Sequence, residues 1–76
     1  MAAKAFVLIE TAVGKTREVA SALKKIAGVK SVDTVTGPYD VITIIEAESL
    51  NDIGSIVTGK IHPIAGISRT VTCLTI

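Results

Sequence analysis

The sequence has few of the residues on which several classes of small protein depend. Its 76 residues include one cysteine, one histidine, one tyrosine, one phenylalanine and no tryptophan. The single Cys73 cannot form an internal disulfide, and it cannot supply the ligand set of a copper chaperone or an iron-sulfur protein. We therefore expect no metal and no other cofactor. We expect the one histidine, His62 beside Pro63, to be a surface residue at a helix end.

Charge and aromatic content also argue against direct contact with nucleic acid. Lysine and arginine number 8 and aspartate and glutamate 7, which gives a net charge of +1. Nucleic-acid-binding modules usually carry a basic face with aromatic side chains on which bases stack. The scattered basic residues and the two aromatic residues of this chain provide neither.

Long hydrophobic runs are missing as well. The apolar stretch after Lys4, AFVLI, ends at Glu10 and is too short for a secretory signal or a membrane span. A lone thiol between Thr72 and Leu74 fits a reducing compartment, where we expect Cys73 to be a small buried residue. These features predict a cytoplasmic protein that has no membrane partner.

Apolar residues, by contrast, are abundant for so short a chain. They make up 49% of the sequence, and the mean hydropathy is +0.59. A domain of this size has much surface for its volume, so a single chain cannot bury that much apolar area. Because large exposed apolar patches mark contact surfaces, the composition predicts that the protein associates.

Hydrophobic periodicity predicts four strands and two helices. Apolar runs without helical caps indicate strands, whereas apolar residues at helical spacing indicate helices, the first ended by Gly28. Ser49 and Asp52 form a capping pattern that opens the second helix. In chain order the predicted elements are strand Ala5–Thr11, helix Lys15–Ala27, strand Val29–Thr36, strand Val41–Ala47, a helix from Ser49 to Ile61, and strand Ile67–Ile76.

An internal repeat supports this order. The run IAGV at Ile26 returns as IAGI at Ile64, half a chain length later, and the apolar positions of the two halves superpose. Two βαβ halves with right-handed crossovers give the ferredoxin-like α+β sandwich, in which both helices cover one face of the sheet.

The central strands of that sandwich are apolar on both faces. Phe6 and Leu8 alternate with Val7 and Ile9, and alternate residues of a strand point to opposite faces. Because the helices cover one face only, we expect two subunits to pack sheet to sheet, about 10 Å apart. The predicted assembly is an obligate dimer, a dimeric α/β barrel.

The run TVTGPYD, which begins at Thr34, is a candidate binding loop. Gly37 permits close approach of a ligand to the backbone, Asp40 provides a carboxylate, and Tyr39 provides a flat wall with one hydroxyl. These are groups that could bind an amino acid. Gly-Pro-x-Asp is also good turn chemistry in its own right, so a simple hairpin turn is the alternative.

Two runs resemble a known family. VKSVDTVTGPYD, from Val29 to Asp40, and the ending IAGISRTVTCLTI are similar to segments of the effector-binding domain of Lrp/AsnC transcription regulators, also called the RAM (regulation of amino acid metabolism) domain. The resemblance covers essentially the whole chain. Full-length members carry an amino-terminal helix-turn-helix domain, whereas this chain resembles a stand-alone RAM domain over residues 1–76.

The resemblance implies a ligand site and an assembly. Dimers of the family join into tetramers, octamers or larger rings, and small molecules, usually amino acids, bind between dimers. Thr70 and Thr72 of the last strand could bind an effector or could be ordinary strand residues. Arg69 and Lys60 could contact an effector carboxylate or be solvated surface residues. The matching positions imply ligand-binding roles for Thr36, Gly37, Tyr39, Asp40, Thr70 and Thr72.

The leading hypothesis is a non-enzymatic module that senses an amino acid or a related metabolite. It would change its own assembly, or pair with full-length regulators, and so take part in transcription regulation of amino acid metabolism. A structural adaptor without a ligand is one alternative. A small cofactor-independent enzyme with the same dimeric frame is the other, and it would need a polar pocket inside the sandwich.

Overall fold

The computed structural model describes residues 3–76, which form one four-stranded sheet with two helices. The elements are β1 (Ala3–Thr11), α1 (Thr16–Lys24), β2 (Val29–Thr34), β3 (Val41–Ala47), α2 (Leu50–Ile56) with a π-helical continuation (Val57–Ile61), and β4 (Ile67–Leu74). The strands pair antiparallel in the order β2-β3-β1-β4, so β1 and β3 are central. The predicted ferredoxin-like βαββαβ fold is confirmed.

The hydrophobic core lies between the helices and one face of the sheet. Alternate residues of the central strands, such as Val7 on β1 and Ile45 on β3, are fully buried against Leu23 of α1 and Ile53 of α2. Burying a Val, Leu or Ile side chain contributes about 1.5–3 kcal/mol. Aliphatic side chains therefore fill the space between helices and sheet, as the sequence predicts.

The opposite face of the sheet is apolar but is not covered by the chain itself. Phe6 pairs with Ile44 and Leu8 pairs with Ile42 across the central strands, and all four are only partly buried. Cys73 of β4 pairs with Phe6 on this open face and is exposed. The prediction of a buried Cys73 is therefore wrong for the single chain, because β4 is an edge strand and no helix among residues 3–76 covers this side.

Both helices differ from the prediction near their carboxyl ends. α1 ends at Lys24, three residues before Ala27, because the N–H groups of Lys25 and Ile26 donate to the carbonyls of Ala22 and Leu23 in a tightening turn. The predicted cap of α2 is confirmed: Ser49 Oγ accepts from the Asp52 N–H at 3.2 Å.

The second half of the predicted second helix is π-helical rather than α-helical. The His62 N–H donates to the Val57 carbonyl at 2.9 Å, a bond that spans five residues instead of four. Gly59 lies inside this turn and is a poor helix former, which helps explain why regular α-helix gives way here. Short π-helical turns are often found at functional sites.

Two strands end earlier than predicted, and both edge strands of the sheet carry a register shift. β2 stops at Thr34 because the Val35 N–H donates to the Asp40 carbonyl at 2.9 Å and closes the loop to β3; β4 stops at Leu74. β2 has a bulge around Lys30, which shifts its register against β3. β4 keeps a continuous register with β1 from Ala5 to Glu10 and shifts between Glu10 and Thr11.

Candidate functional site

The loop between β2 and β3, residues 35–40, lies against the end of β1. The Asp40 N–H donates to the Ile9 carbonyl at 2.9 Å. Together with the bond from Val35 to Asp40, this contact fixes the second half of the loop on the edge of the central strands. The candidate binding loop is therefore held by the sheet and does not project freely.

The Asp40 carboxylate is hydrogen-bonded within the chain. Its Oδ2 accepts from the Thr11 backbone N–H at 2.8 Å and from the Thr11 hydroxyl at 3.2 Å. The Thr11 hydroxyl also lies 2.8 Å from that of Thr16 at the start of α1. Among the contacts of residues 3–76, Asp40 Oδ1 accepts no hydrogen bond, so this oxygen can receive a proton donor from a ligand.

Tyr39 contacts a cation that comes from another strand. Arg69 of β4 donates from Nη2 to the Tyr39 hydroxyl at 3.2 Å, and its guanidinium lies 5.6 Å from the centre of the ring. Arg69 Nε is 3.8 Å from Glu10 Oε1, and the Arg69 side chain is 61% exposed. An exposed guanidinium beside the loop can bind a ligand carboxylate.

Thr36, Gly37 and Pro38 form the exposed part of the loop. Gly37 has a φ of +137°, a conformation that side chains rarely adopt, and a Cβ at this position would meet no atom within 4 Å. The backbone of the loop tip is thus open to a ligand. No hydrogen bond of the Thr36 hydroxyl is found within the described part of the chain.

The two threonines of β4 lie on the helix side of the sheet. Thr70 pairs with Ile9 and Thr72 with Val7, both of which point into the core, so the prediction that the two hydroxyls share one face is confirmed. Thr70 Oγ1 is 3.1 Å from His62 Nε2. Neither threonine makes a hydrogen bond to the loop among the described residues.

One chain therefore carries two separate half-sites. The loop half-site has two neighbouring contacts: Tyr39 bonds Arg69, which pairs with Glu10, and Asp40 bonds Thr11. The strand half-site consists of Thr70 and Thr72 beside His62 and α2. Sequence reasoning missed Thr11 altogether and interpreted Arg69 mainly as a surface residue. The available signal was topological, because the end of a central strand must lie beside the loop that leads into its neighbour.

Two further observations concern membrane-spanning helices and metal ligands. Within residues 3–76, no helix is long and apolar enough to cross a membrane. In the same residues, no group of three or more His, Cys, Asp or Glu side chains is placed to hold a metal ion.

Comparison with known proteins relates the chain to transcription regulators. The family model of the Lrp/AsnC ligand binding domain matches residues 4–76. An HTH-type transcriptional regulator of Pyrococcus horikoshii is 39% identical over 56 residues, which is 74% of this chain and 37% of that protein. The match thus spans little more than a third of the length of this curated relative.

Solved structures share the fold. The crystal structure of FFRP-DM1 superposes with a TM-score of 0.93 at 38% identity, over 97% of this chain and 99% of that chain. A transcriptional regulator of Neisseria meningitidis in complex with L-Met superposes with a TM-score of 0.86 at 18% identity, over 97% of this chain and 49% of that chain. The match over residues 4–76 shows that the chain belongs to the Lrp/AsnC family as a ligand binding domain.

Proposed function

We propose that this domain binds an amino acid or a related small metabolite and couples binding to its own oligomeric assembly, as a module of cytoplasmic transcription regulation of amino acid metabolism. The observation that carries the proposal is the loop itself, in which an open stretch of backbone at Gly37 is followed by Tyr39, bonded to the Arg69 guanidinium, and by the Asp40 carboxylate, bonded to Thr11. Such a set is complementary to a zwitterion.

The groups of the loop half-site can divide the ligand between them. The ligand ammonium donates to Asp40 Oδ1, which has no other donor among residues 3–76. The ligand carboxylate binds Arg69 and the exposed backbone N–H groups of Thr36 and Gly37. Tyr39 closes one side with its ring, which Arg69 already orients.

The open sheet face supports the assembly part of the proposal. Phe6, Leu8, Ile42 and Ile44 are apolar and only partly buried in one chain, and a second sheet packed on them would remove this surface from water. We propose that rings built from such dimers place the strand half-site of one subunit near the loop half-site of another. Full-length regulators of the family are the natural protein partners.

A structural adaptor without a ligand is the second candidate, and one observation favours it. Asp40 already has two hydrogen bonds to Thr11, which a purely structural turn would also use. The enzyme alternative has less support, because the core among residues 3–76 consists of aliphatic side chains apart from Thr43, whose hydroxyl is already bonded to the Ser31 carbonyl.

Native mass spectrometry with pools of amino acids tests the proposal. We expect a dimer or larger oligomer that gains ligand mass, or changes size, with one pool. Arg69→Gln should abolish this response and keep the dimer, whereas Lys25→Gln, a matched loss of an exposed cation, should keep both. An unchanged oligomer with every pool at millimolar concentration would exclude amino acid binding and leave the adaptor.

A further inference from the structure

A cleft of about 260 Å³ lies at the outer edge of β2, beside the carboxyl end of α1. The residues that line it are Lys24, Val29, Lys30, Ser31 and Val32. None of them belongs to the loop half-site or to the strand half-site. The cleft is therefore a feature separate from the proposed amino acid site.

Two lysines contribute the charges of the cleft. Lys24 and Lys30 are both exposed, and neither takes part in the ion pairs found among residues 3–76. No aspartate or glutamate is among the lining residues. Two ammonium groups without a carboxylate repel each other, and an anion bound between them would remove this repulsion.

The backbone of β2 adds a hydrogen-bond donor to the cleft. The Val35 N–H donates to the Asp40 carbonyl, and in an antiparallel pair successive N–H groups point alternately towards the partner strand and away from it. Val32 therefore directs its N–H away from β3. Because β2 is an outermost strand among residues 3–76, no strand of the described chain accepts a hydrogen bond from this N–H.

A bulge in β2 shapes the cleft. Two residues of β3 oppose three residues of β2 here, and Lys30 is the one without a partner. The hydroxyl of Thr43, a fully buried residue, donates to the Ser31 carbonyl at 2.6 Å and holds the strand at this point. Bulges at sheet edges often redirect a side chain. The position of Lys30 at the cleft is therefore fixed by the sheet.

Ser31 provides one more polar group at the cleft. Its Oγ is buried and has no hydrogen-bond partner within the described residues. A hydroxyl can donate to an anion, and leaving it without a partner costs stability. The polar side chains that line the cleft can thus all act as donors, which makes the cleft complementary to an oxyanion.

We infer that the cleft at the β2 bulge binds a phosphate group, either as the free ion or as part of a small metabolite. Its two ammonium groups match the charge of about −1.5 to −2 that a phosphate monoester carries at neutral pH. Lysine binds phosphate as a point charge. A complete small-molecule pocket usually measures about 300–1,000 Å³, so a cleft of about 260 Å³ suits a single anionic group.

A titration followed by amide chemical shifts tests the class of the ligand. Phosphate and phenyl phosphate should shift the amide signals of Ser31 and Val32 in a saturable way. Tighter binding of phenyl phosphate would identify a phosphate carried on a larger molecule, and equal or tighter binding of inorganic phosphate would identify the free ion. Acetate, which carries one charge, should bind several-fold more weakly. Equal affinity for acetate, or no saturable shift with any of the three probes, would overturn the inference.

A double substitution tests the location. Lys24→Gln combined with Lys30→Gln should lower the affinity for phosphate by roughly tenfold or more, because both cations of the cleft are lost. Arg17→Gln combined with Lys25→Gln is the matched control, since both residues are exposed and neither lines the cleft. In about 0.15 M salt, which screens distant charges, the control should change the affinity by less than about twofold. Equal losses in the two variants would indicate diffuse attraction and contradict a site.

Native mass spectrometry separates the phosphate site from a subunit contact. All four substitutions are at exposed positions, so circular dichroism should show both variants folded, and both should keep the oligomer mass of the wild type. A changed mass of the Lys24 and Lys30 variant without phosphate would mean that these lysines contact another subunit, and the inference would be wrong. The response to amino acids should be the same in this variant as in the wild type, so the inference and the proposed function can fail separately.

Discussion

Asp40 and Thr11 are joined by two hydrogen bonds that share one oxygen. The backbone N–H of Thr11 lies 2.8 Å from Asp40 Oδ2, and its hydroxyl lies 3.2 Å from the same atom. The two residues are 29 positions apart in the sequence, so the pair ties the start of β3 to the end of β1. A residue selected as a ligand-binding carboxylate thus also has a structural role.

Replacing Asp40 by Ala should lower the free energy of unfolding by about 1–2 kcal/mol, because the partly buried N–H of Thr11 loses its acceptor. Asp40→Asn keeps an oxygen acceptor and should lower the free energy of unfolding by a smaller amount. Urea denaturation measures both. Asp33→Ala is the control, since Asp33 is exposed on β2 and its side chain has no hydrogen bond among those found for residues 3–76. Equal losses of stability in Asp33→Ala and Asp40→Ala would contradict the structural role.

Tyr39→Phe should separate ligand binding from stability. The change removes the hydroxyl that accepts from Arg69 but keeps the ring beside the guanidinium. Because both side chains are near the surface, stability should change by less than about 0.5 kcal/mol. Effector affinity, measured by calorimetry, should fall several-fold if the hydroxyl orients Arg69. A large loss of stability would show that the pair is structural.

Gly28→Ala should destabilise the protein by more than about 1 kcal/mol. Gly28 has a φ of +95°, and a Cβ would lie 2.9 Å from Ile56 Cδ1 and 3.2 Å from the Glu46 carbonyl oxygen. The backbone oxygen cannot move away cheaply, since Glu46 is part of β3. Gly54→Ala is the opposite case and should stabilise the helix by up to about 1 kcal/mol. Thermal unfolding of the two variants compares them directly.

Ile44→Lys should prevent subunit association. The residue lies on the open sheet face, opposite Phe6, and a lysine there would bring an uncompensated charge into a packed interface. Light scattering should show a smaller mass than for the wild type. Lys30→Glu, an exposed change on the bulge of β2, should leave the mass unchanged. An intact oligomer in Ile44→Lys would place the interface elsewhere.

Ser31→Ala should be neutral or stabilising by about 1 kcal/mol. Ser31 Oγ is buried and has no hydrogen-bond partner within residues 3–76, and an unsatisfied buried hydroxyl is costly. Denaturant unfolding of the isolated subunit and of the oligomer measures the effect. A clear destabilisation of the oligomer alone would mean that a second subunit supplies the missing partner.

The fold could be predicted because its signals are local. Apolar residues at strand or helix spacing, the Ser49 cap and the repeated IAG run are visible in the sequence, and they determine the order of the elements. The ends of the helices could not be predicted as well. The π-helical turn at Val57–Ile61 depends on the hydrogen bond from the His62 N–H to the Val57 carbonyl. The pattern of apolar residues does not show whether a backbone hydrogen bond spans four residues, as in an α-helix, or five.

The candidate site was only half visible in the sequence. Tyr39 and Asp40 stand in a recognisable run, but Thr11 and Arg69 join them from strands far away in the chain. Their positions follow from strand register, and register depends on how many residues each connection takes up. The exposure of Cys73 could not be predicted for the same reason. Its apolar neighbours in the sequence do not determine which face of the edge strand β4 the cysteine side chain occupies.

Both edge strands of the sheet carry an irregularity that discourages pairing with strands of other molecules. β2 has a bulge at Lys30, and the register of β4 against β1 shifts between Glu10 and Thr11, where Ser68 has no partner. A bulge or a charged side chain on an edge strand hinders extension of the sheet. Because β2 and β4 are the outermost strands among residues 3–76, we expect copies of this sheet to resist continuous cross-β growth.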